Sequence, residues 1–472
     1  MSSSQPPPLT RKTSWLYGLG SIAYGVKNNG FSYFLMFYYN QVLGLPASLA
    51  GTAILIAMIF DAISDPLVGV WSDNTHSRWG RRHPFMYASV FPVAFVYFFL
   101  WHPPEDLSQF SLFLYLTVAA VLVRFFITLY EIPSTSIVAE LTDDYDERTR
   151  LLSLRYMFGW YGGIAMAFLM WKVFGVNYGM DSAEAYRLYG SVGALAMLLA
   201  TGVSALGLHS RIPYLKQPPP REVFSLGRLL RNIRITLSNR NFAALFFAGL
   251  FAAIGAGVST NFYTYINRYF WEFSSDEVGD IVLSLFLSAL LAAILAPKIT
   301  ARFDKRNSAI GIYAISIVYG ALPVVLRLLG WFPENGNPWL FWIMLVHQVS
   351  DVTLIVMFGI VQSSMLADIV EDSEARTGRR EEGLFFAART FAEKATSGLG
   401  AFFAGIALEI IQFPIDAVPG EVPEEVLFDL GLLYGPTLMV FYTMALISIA
   451  FYRITRSGHD HRVEALRNKG AE

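Results

Sequence analysis

The sequence predicts an all-α polytopic membrane protein, twelve transmembrane helices arranged as two six-helix halves. Composition is the first observation. Of 472 residues, 54% are hydrophobic and 15% charged, against about 25% charged in a soluble domain, and mean hydropathy is +0.44. Length is the second: mostly apolar stretches of about 20 residues, enough to cross a bilayer, recur along the whole chain. The third is an internal repeat that relates the two halves.

Six spans are expected in the first half, at 15–42, 48–72, 84–101, 110–134, 151–174 and 188–209. Six more are expected at 241–269, 277–300, 307–329, 338–368, 383–412 and 426–453. Residues 1–14 form a polar, Pro-containing tail without the apolar core of a cleavable signal, so the first span serves as an uncleaved insertion signal. Positive charge sets the orientation. Of 35 Lys and Arg, 27 fall on the side that carries the N-terminus, four on the other side and four within spans. Both termini are therefore expected in the cytoplasm, and 454–472 is a second cytoplasmic tail. The linker 210–240 holds three prolines, Pro218 to Pro220. Beyond them Leu226, Leu229, Leu230, Ile233 and Leu237 recur at helical spacing among arginines, as in a helix lying on the inner leaflet.

The repeat pairs SIVAELTDDYDERTRLLSLR, from Ser136, with SMLADIVEDSEARTGRREEGLFFAAR, from Ser364. Glu140 matches Asp368, Asp144 matches Asp372, and Arg155 matches Arg389 after six inserted residues. Each segment follows the fourth span of its half. Two halves in the same orientation place a central site between them, near the bilayer midplane.

The charges at membrane depth mark that site. FDAISDP sets Asp61 and Asp65 four residues apart, on one face of the second span. A charge at the centre of a bilayer helix costs about 2.5–3.5 kcal/mol on insertion scales, so both need a cation or a basic partner. Lys394 is one such partner, and a purely structural bridge to it is the plain alternative. The first span carries Lys27, Asn28 and Asn29; the fourth carries Arg124, Thr128, Glu131 and Thr135 as one stripe; the tenth carries His347, Gln348, Asp351 and Gln362. Arg124 and Glu131 are spaced to neutralise each other. Lys27, Asn28, Asn29, Arg124, Glu131, Arg155 and Asp351, with the aromatic Phe358, are the candidate substrate contacts. Asp73, Arg78, Arg81 and Arg82 form an expected cytoplasmic gate, reinforced by Arg148 and Arg150. No cysteine exists, which excludes disulfides and thiol chemistry. Nothing resembles a nucleotide loop, a catalytic triad or a metal cluster, so an enzyme and a resident cofactor are not expected.

DPLVGVWSDNTHSRWGRRHP resembles the loop 2–3 signature of the major facilitator superfamily, in the form used by glycoside–pentoside–hexuronide:cation symporters. FDAISDP, EIPSTSIVAELTDDYDERTRL and MLADIVEDSEARTG resemble segments of the same family, and the resemblance covers nearly the whole chain. It implies the major facilitator fold and a cation site built from two helix II aspartates, the residue between them and a helix IV threonine: here Asp61, Asp65, Ser64 and Thr128. Ser64 stands where the family's sugar carriers have Asn, which leaves Na+ against H+ open. The resemblance also implies a coupling role for Lys394 and matches a helix V Arg to Arg155. The family's sugar determinants carry over differently: a helix IV Asp becomes Glu131, a nearby Trp becomes Thr135, a helix I Asp falls on Gly25 and a helix X Trp on Gly359.

The expected function is cation-coupled symport of a small organic solute by alternating access, with a sugar or glycoside first. Sodium-dependent transport of a lysophospholipid-like solute is the alternative, and a non-transporting receptor on the same fold is the rival of another class. The expected setting is a bacterial inner membrane, as a monomer in the lipid bilayer with no nucleic-acid partner.

Overall fold

The computed structural model describes residues 9–142, 144–215, 227, 237, 240–377, 396 and 398–452. Among the described residues, ten helices are long and apolar enough to cross a membrane. Two compact units divide the chain, Met1–Phe224 and Ser225–Glu472.

In the first unit, α1 (Arg11–Leu19) starts where the Thr10 side chain accepts from the Thr13 N–H. It leads into α2 (Ile22–Asn29), which continues to Val42 through π turns at Gly30–Phe34 and Tyr38–Val42. Next come α3 (Ala47–Asp73), α4 (His83–Leu100) and α5 (Gln109–Ser136), the last capped by Ser108. A short α6 (Val138–Leu141) precedes α7 (Tyr145–Phe168), and Ser182 caps α8 (Ala183–Gly207). Helix α3 packs on α5, which packs on α4, which packs on α8; α2 packs on α7. The α2–α7 crossing is backbone on backbone. A Cβ on Gly25 would lie 1.9 Å from the Gly159 carbonyl oxygen.

The second unit runs through α9 (Arg240–Tyr265), α10 (Ser275–Phe303), α11 (Lys305–Leu328) and α12 (Pro338–Thr377). Then α13 (Glu424–Tyr434) and α14 (Pro436–Ala450) meet at Gly435. A shorter apolar helix covers Gly398–Ile410. The expected surface helix of the linker and the first part of the expected eleventh span, with Arg389 and Lys394, lie outside the described residues.

The repeat reappears in the backbone. Tyr38–Val42 and Ile266–Phe270 are both π turns, 228 residues apart, the same offset that relates Ser136 to Ser364. Leu43 N–H bonds the Tyr38 carbonyl at 3.1 Å and Leu45 N–H the Tyr39 carbonyl at 2.8 Å. Their counterparts are Trp271 to Ile266 at 3.0 Å and Phe273 to Asn267 at 2.9 Å. Both turns close through a left-handed residue, Gly44 at φ 72° and Glu272 at φ 53°.

Apolar side chains cover the outside as well as the core. Phe91, Phe95 and Ile410 are largely exposed, as helices facing lipid require. Exposed Trp15 and Trp71 sit toward one end of the first unit's helices, and exposed Trp331 and Trp339 flank a loop of the second, as in interfacial aromatic belts. Inside the second unit, Phe358 stacks on Tyr313 at 4.1 Å between centroids and belongs to the core with Met365 and Tyr452. Phe358, expected to line a substrate site, is thus a packing residue; an apolar side chain at helical spacing gives no sign in sequence of which face it takes.

Candidate functional site

Helices α3 and α5 bring together three residues expected at the cation site. Asp61 is 1% exposed and Thr128 2%. The Thr128 hydroxyl lies 3.1 Å from Asp61 Oδ1 and 2.9 Å from Asp65 Oδ1. A hydroxyl carries one hydrogen, so it satisfies the two carboxylates only in part. Proline marks both helices beside the site. Pro66 has no N–H for the Ala62 carbonyl one turn back, and Pro133 has none for that of Leu129.

Arg124 joins the cluster. Its Nη1 donates to Asp61 Oδ2 at 3.1 Å, and its guanidinium lies 4.6 Å from the Phe31 ring centroid. This corrects the expectation that Arg124 neutralises Glu131. Asp61 is the stronger claim on a buried guanidinium because a carboxylate that is 1% exposed has no water to solvate it. Ser64 departs in the other direction. Its hydroxyl donates to the Asp61 main-chain carbonyl at 3.2 Å. It also lines an apolar groove of about 370 Å³ with Phe60, Ile63, Leu67, Trp71 and Phe125. One residue from Asp65, it occupies another helix face.

The described residues of the cluster therefore carry two carboxylates against one guanidinium. Carboxylate oxygens with a threonine hydroxyl form a hard-oxygen donor set, suited to a small alkali cation, and either carboxylate can take a proton instead. Both ions would be cargo and not fixed parts of the protein.

The expected substrate contacts spread out. Lys27 is buried with its Nζ 4.5 Å from the Tyr24 ring centroid, and Asn28 is half-buried. Asn29 accepts from the Tyr189 hydroxyl at 3.0 Å, deep among the aromatics of α8. Arg155 reaches from α7 to α5, donating to Ser134 Oγ at 2.9 Å and more weakly to the Glu131 carbonyl at 3.4 Å. The Thr135 hydroxyl donates to that same carbonyl at 2.8 Å. Asp351 turns toward α11, where its Oδ1 lies 3.0 Å from the place a Cβ on Gly320 would take. Gly25 is the closed crossing with Gly159, where no acidic side chain fits, whereas a Cβ at Gly359 would meet nothing within 4 Å.

Three of the residues expected at the gate meet around one that was not assigned to it. Glu140 Oε1 receives Arg81 Nη2 at 2.8 Å and Arg82 Nε at 3.1 Å. Both arginines also pair with Asp73, Arg81 at 3.5 Å, and Arg82 donates to Ser72 Oγ at 2.6 Å. The network ties the end of α3 to the start of α4 and to α6. The signal for Glu140 was its repeat match with Asp368. Arg78 stands apart, stacked on Trp79 at 4.9 Å. Arg148 bonds the Thr142 carbonyl at 2.8 Å, and Arg150 reaches Ser14 at 3.3 Å and Glu147 at 3.4 Å. Arg148 thus fastens the start of α7 to the segment before it, and Arg150 ties α7 to α1.

A family model described as MFS/sugar transport protein matches residues 16–456. The chain belongs to that family. It is a multi-pass membrane transporter and not an enzyme, and the resemblance to glycoside–pentoside–hexuronide:cation symporters holds. An uncharacterized symporter of Synechocystis is 26% identical over 95% of each chain. A putative glycoside/cation symporter of Escherichia coli is 24% identical over 97% of this chain and 94% of its own. An isoprimeverose transporter of Lactiplantibacillus pentosus is 32% identical over 31% of this chain and 30% of its own. Among solved structures, a mutant of the nucleoside transporter NupG has a TM-score of 0.64 at 15% identity, covering 94% of this chain and 100% of that one. A D-xylose–proton symporter has 0.61 at 14% identity, covering 93% and 96%. At such identities these two speak for the fold alone.

Proposed function

We propose that this transporter is a secondary active symporter that couples Na+ or H+ to the uptake of a sugar or glycoside by alternating access. The observation that carries the proposal is the buried cluster of Asp61, Asp65, Thr128 and Arg124. Among the described residues Arg124 faces two carboxylates, and a monovalent cation or a proton taken up there lowers the negative charge that has to be enclosed. A neutral cluster can be enclosed as two halves of six spans each, twelve in all, rock about it; a charged one resists desolvation. That difference ties ion binding to the conformational change. Lys394 is assigned a coupling role by resemblance only. Both termini are placed in the cytoplasm of a bacterial inner membrane by charge distribution. The sugar assignment draws on the family and on relatives named for glycoside and isoprimeverose transport.

A second reading, a lipid-like amphiphile, is favoured by the apolar groove beside Ser64. A thermal-shift screen of the purified protein against sugars, glycosides and lysolipids, with and without Na+, separates the two. Stabilisation by a glycoside that increases with Na+ or with acid supports the first. Stabilisation by lysolipids alone would sink it.

A further inference from the structure

The second unit holds a titratable pair that the cation cluster does not use. His347 and Asp351 are one helical turn apart on α12, so they share a face. That face packs on consecutive residues of α11. His347 stacks on Tyr319 with centroids 4.7 Å apart, and its Nε2 lies 2.8 Å from the Tyr319 carbonyl oxygen. Asp351 fills the notch that Gly320 leaves, with Oδ1 and Oδ2 at 3.0 and 3.6 Å from the position of the missing Cβ. Residue 351 is near the middle of the span Pro338–Gln362.

Hydrogen-bond arithmetic leaves each member of this pair an acceptor without a donor among the described residues. A carbonyl only accepts, so His347 Nε2 carries the hydrogen of that bond, and Nδ1 of the neutral ring is a bare lone pair. His347 is 8% exposed, and Nδ1 is buried without a partner. The Asp351 carboxylate likewise has no hydrogen-bond or ion-pair partner among the described residues. From α11 it faces Gly320, and on the α14 side the nearest named titratable group is Tyr442, whose ring meets that of Tyr313 on α11 at 5.9 Å between centroids. The α10 contacts of this helix are the Ser288 hydroxyl on the Val349 carbonyl and Thr353 on the Ser288 carbonyl. Helix α9 approaches α12 at Gln362, three turns further along. None of these neighbours is a cation.

We infer that His347 and Asp351 form a second ion site whose ligand is a single proton, separate from the Asp61–Asp65 cluster. One proton on either member makes the pair neutral overall, as a carboxylic acid beside a neutral imidazole or a carboxylate beside an imidazolium. Without it a net negative charge stands at mid-membrane with no counter-ion among the described residues, which is the costly state. A metal cation suits the place less, since one carboxylate and one imidazole against a tyrosine and a glycine supply too few oxygens. Proton exchange at this site would make the second unit respond to pH whatever ion drives the first.

Infrared difference spectroscopy of the purified full-length protein tests this without any substrate, and so independently of the symport proposal. Spectra of wild type, Asp351→Asn and His347→Gln are compared across a pH titration. At neutral pH, wild type minus Asp351→Asn is expected to show one protonated carboxyl band, or a carboxylate accompanied by an imidazolium mode that His347→Gln also removes. The acid form should be lost on alkaline titration and be indifferent to added NaCl. An ionised Asp351 beside a neutral His347 at neutral pH overturns the inference. So does a signal that NaCl displaces, which would make this a metal-cation site. Either substitution is close in size to the native side chain, and an unchanged melting temperature in one of them is enough for the comparison.

Discussion

At the residue scale, the site is a problem of one hydroxyl hydrogen and one guanidinium shared between two carboxylates. Replacing Arg124 by Met breaks its buried ion pair with Asp61, and stability should fall by about 3–5 kcal/mol. Adding Asp61→Asn to Arg124→Met removes the charge that Arg124 had faced, so the double variant should be more stable than Arg124→Met alone. A double-mutant cycle on detergent-solubilised protein reads both, and additive losses would mean the two residues are not coupled. Thr128→Val keeps the volume and removes the bridging hydroxyl; the protein should stay folded and lose ion-dependent stabilisation. Asp61 and Asp65 were legible in the sequence because charges in an apolar helix cannot be decorative and four-residue spacing fixes their face; Thr128 came from the family resemblance. Arg124 was visible as a buried charge, but its partner was not. Glu131 was as good a choice by spacing, and only the packing of α3 on α5 decides for Asp61.

At the scale of elements, the span boundaries follow from hydropathy and capping, and the helices begin where Ser108, Asp144, Ser182 and Ser274 can accept from the first turn. The π turns were not legible. A fifth-residue hydrogen bond uses the same apolar residues as a fourth-residue one, so composition does not separate them. Their paired occurrence at the ends of the first span and of α9 is a repeat signal that side-chain identities had lost. Gly44 and Glu272 hold the same left-handed place, and only glycine adopts it without steric cost. Glu272→Gly should therefore raise stability by about 1 kcal/mol, and Gly44→Ala should lower it; the opposite order in thermal melts would contradict the equivalence. The Gly25–Gly159 crossing gives a harsher expectation. Gly25→Val has no room for its side chain and should abolish stable expression, while Gly359→Ala, which meets open space, should be tolerated.

At the scale of the whole molecule, the two-unit repeat, the apolar exterior and the family all describe a membrane transporter, and the proposed symport needs a site that changes which side it faces. Orientation rests on positive charge alone and has a clean test, because the chain has no cysteine. A single cysteine at exposed His76 should react with an impermeant maleimide only from the cytoplasmic side, and one at exposed Glu421 only from outside. The reverse pattern would invert the topology. Cargo was least legible, since recognition of a small solute depends on side chains from several helices, and one position that resemblance supplied, Gly25, is here given over to packing. The most direct test of the central claim is uptake into proteoliposomes of a solute found in the thermal-shift screen, under an imposed Na+ or pH gradient, for wild type and Asp65→Asn. Wild type should accumulate the solute above its outside concentration, while the variant should at most equilibrate it. Equal accumulation by the two would contradict the account.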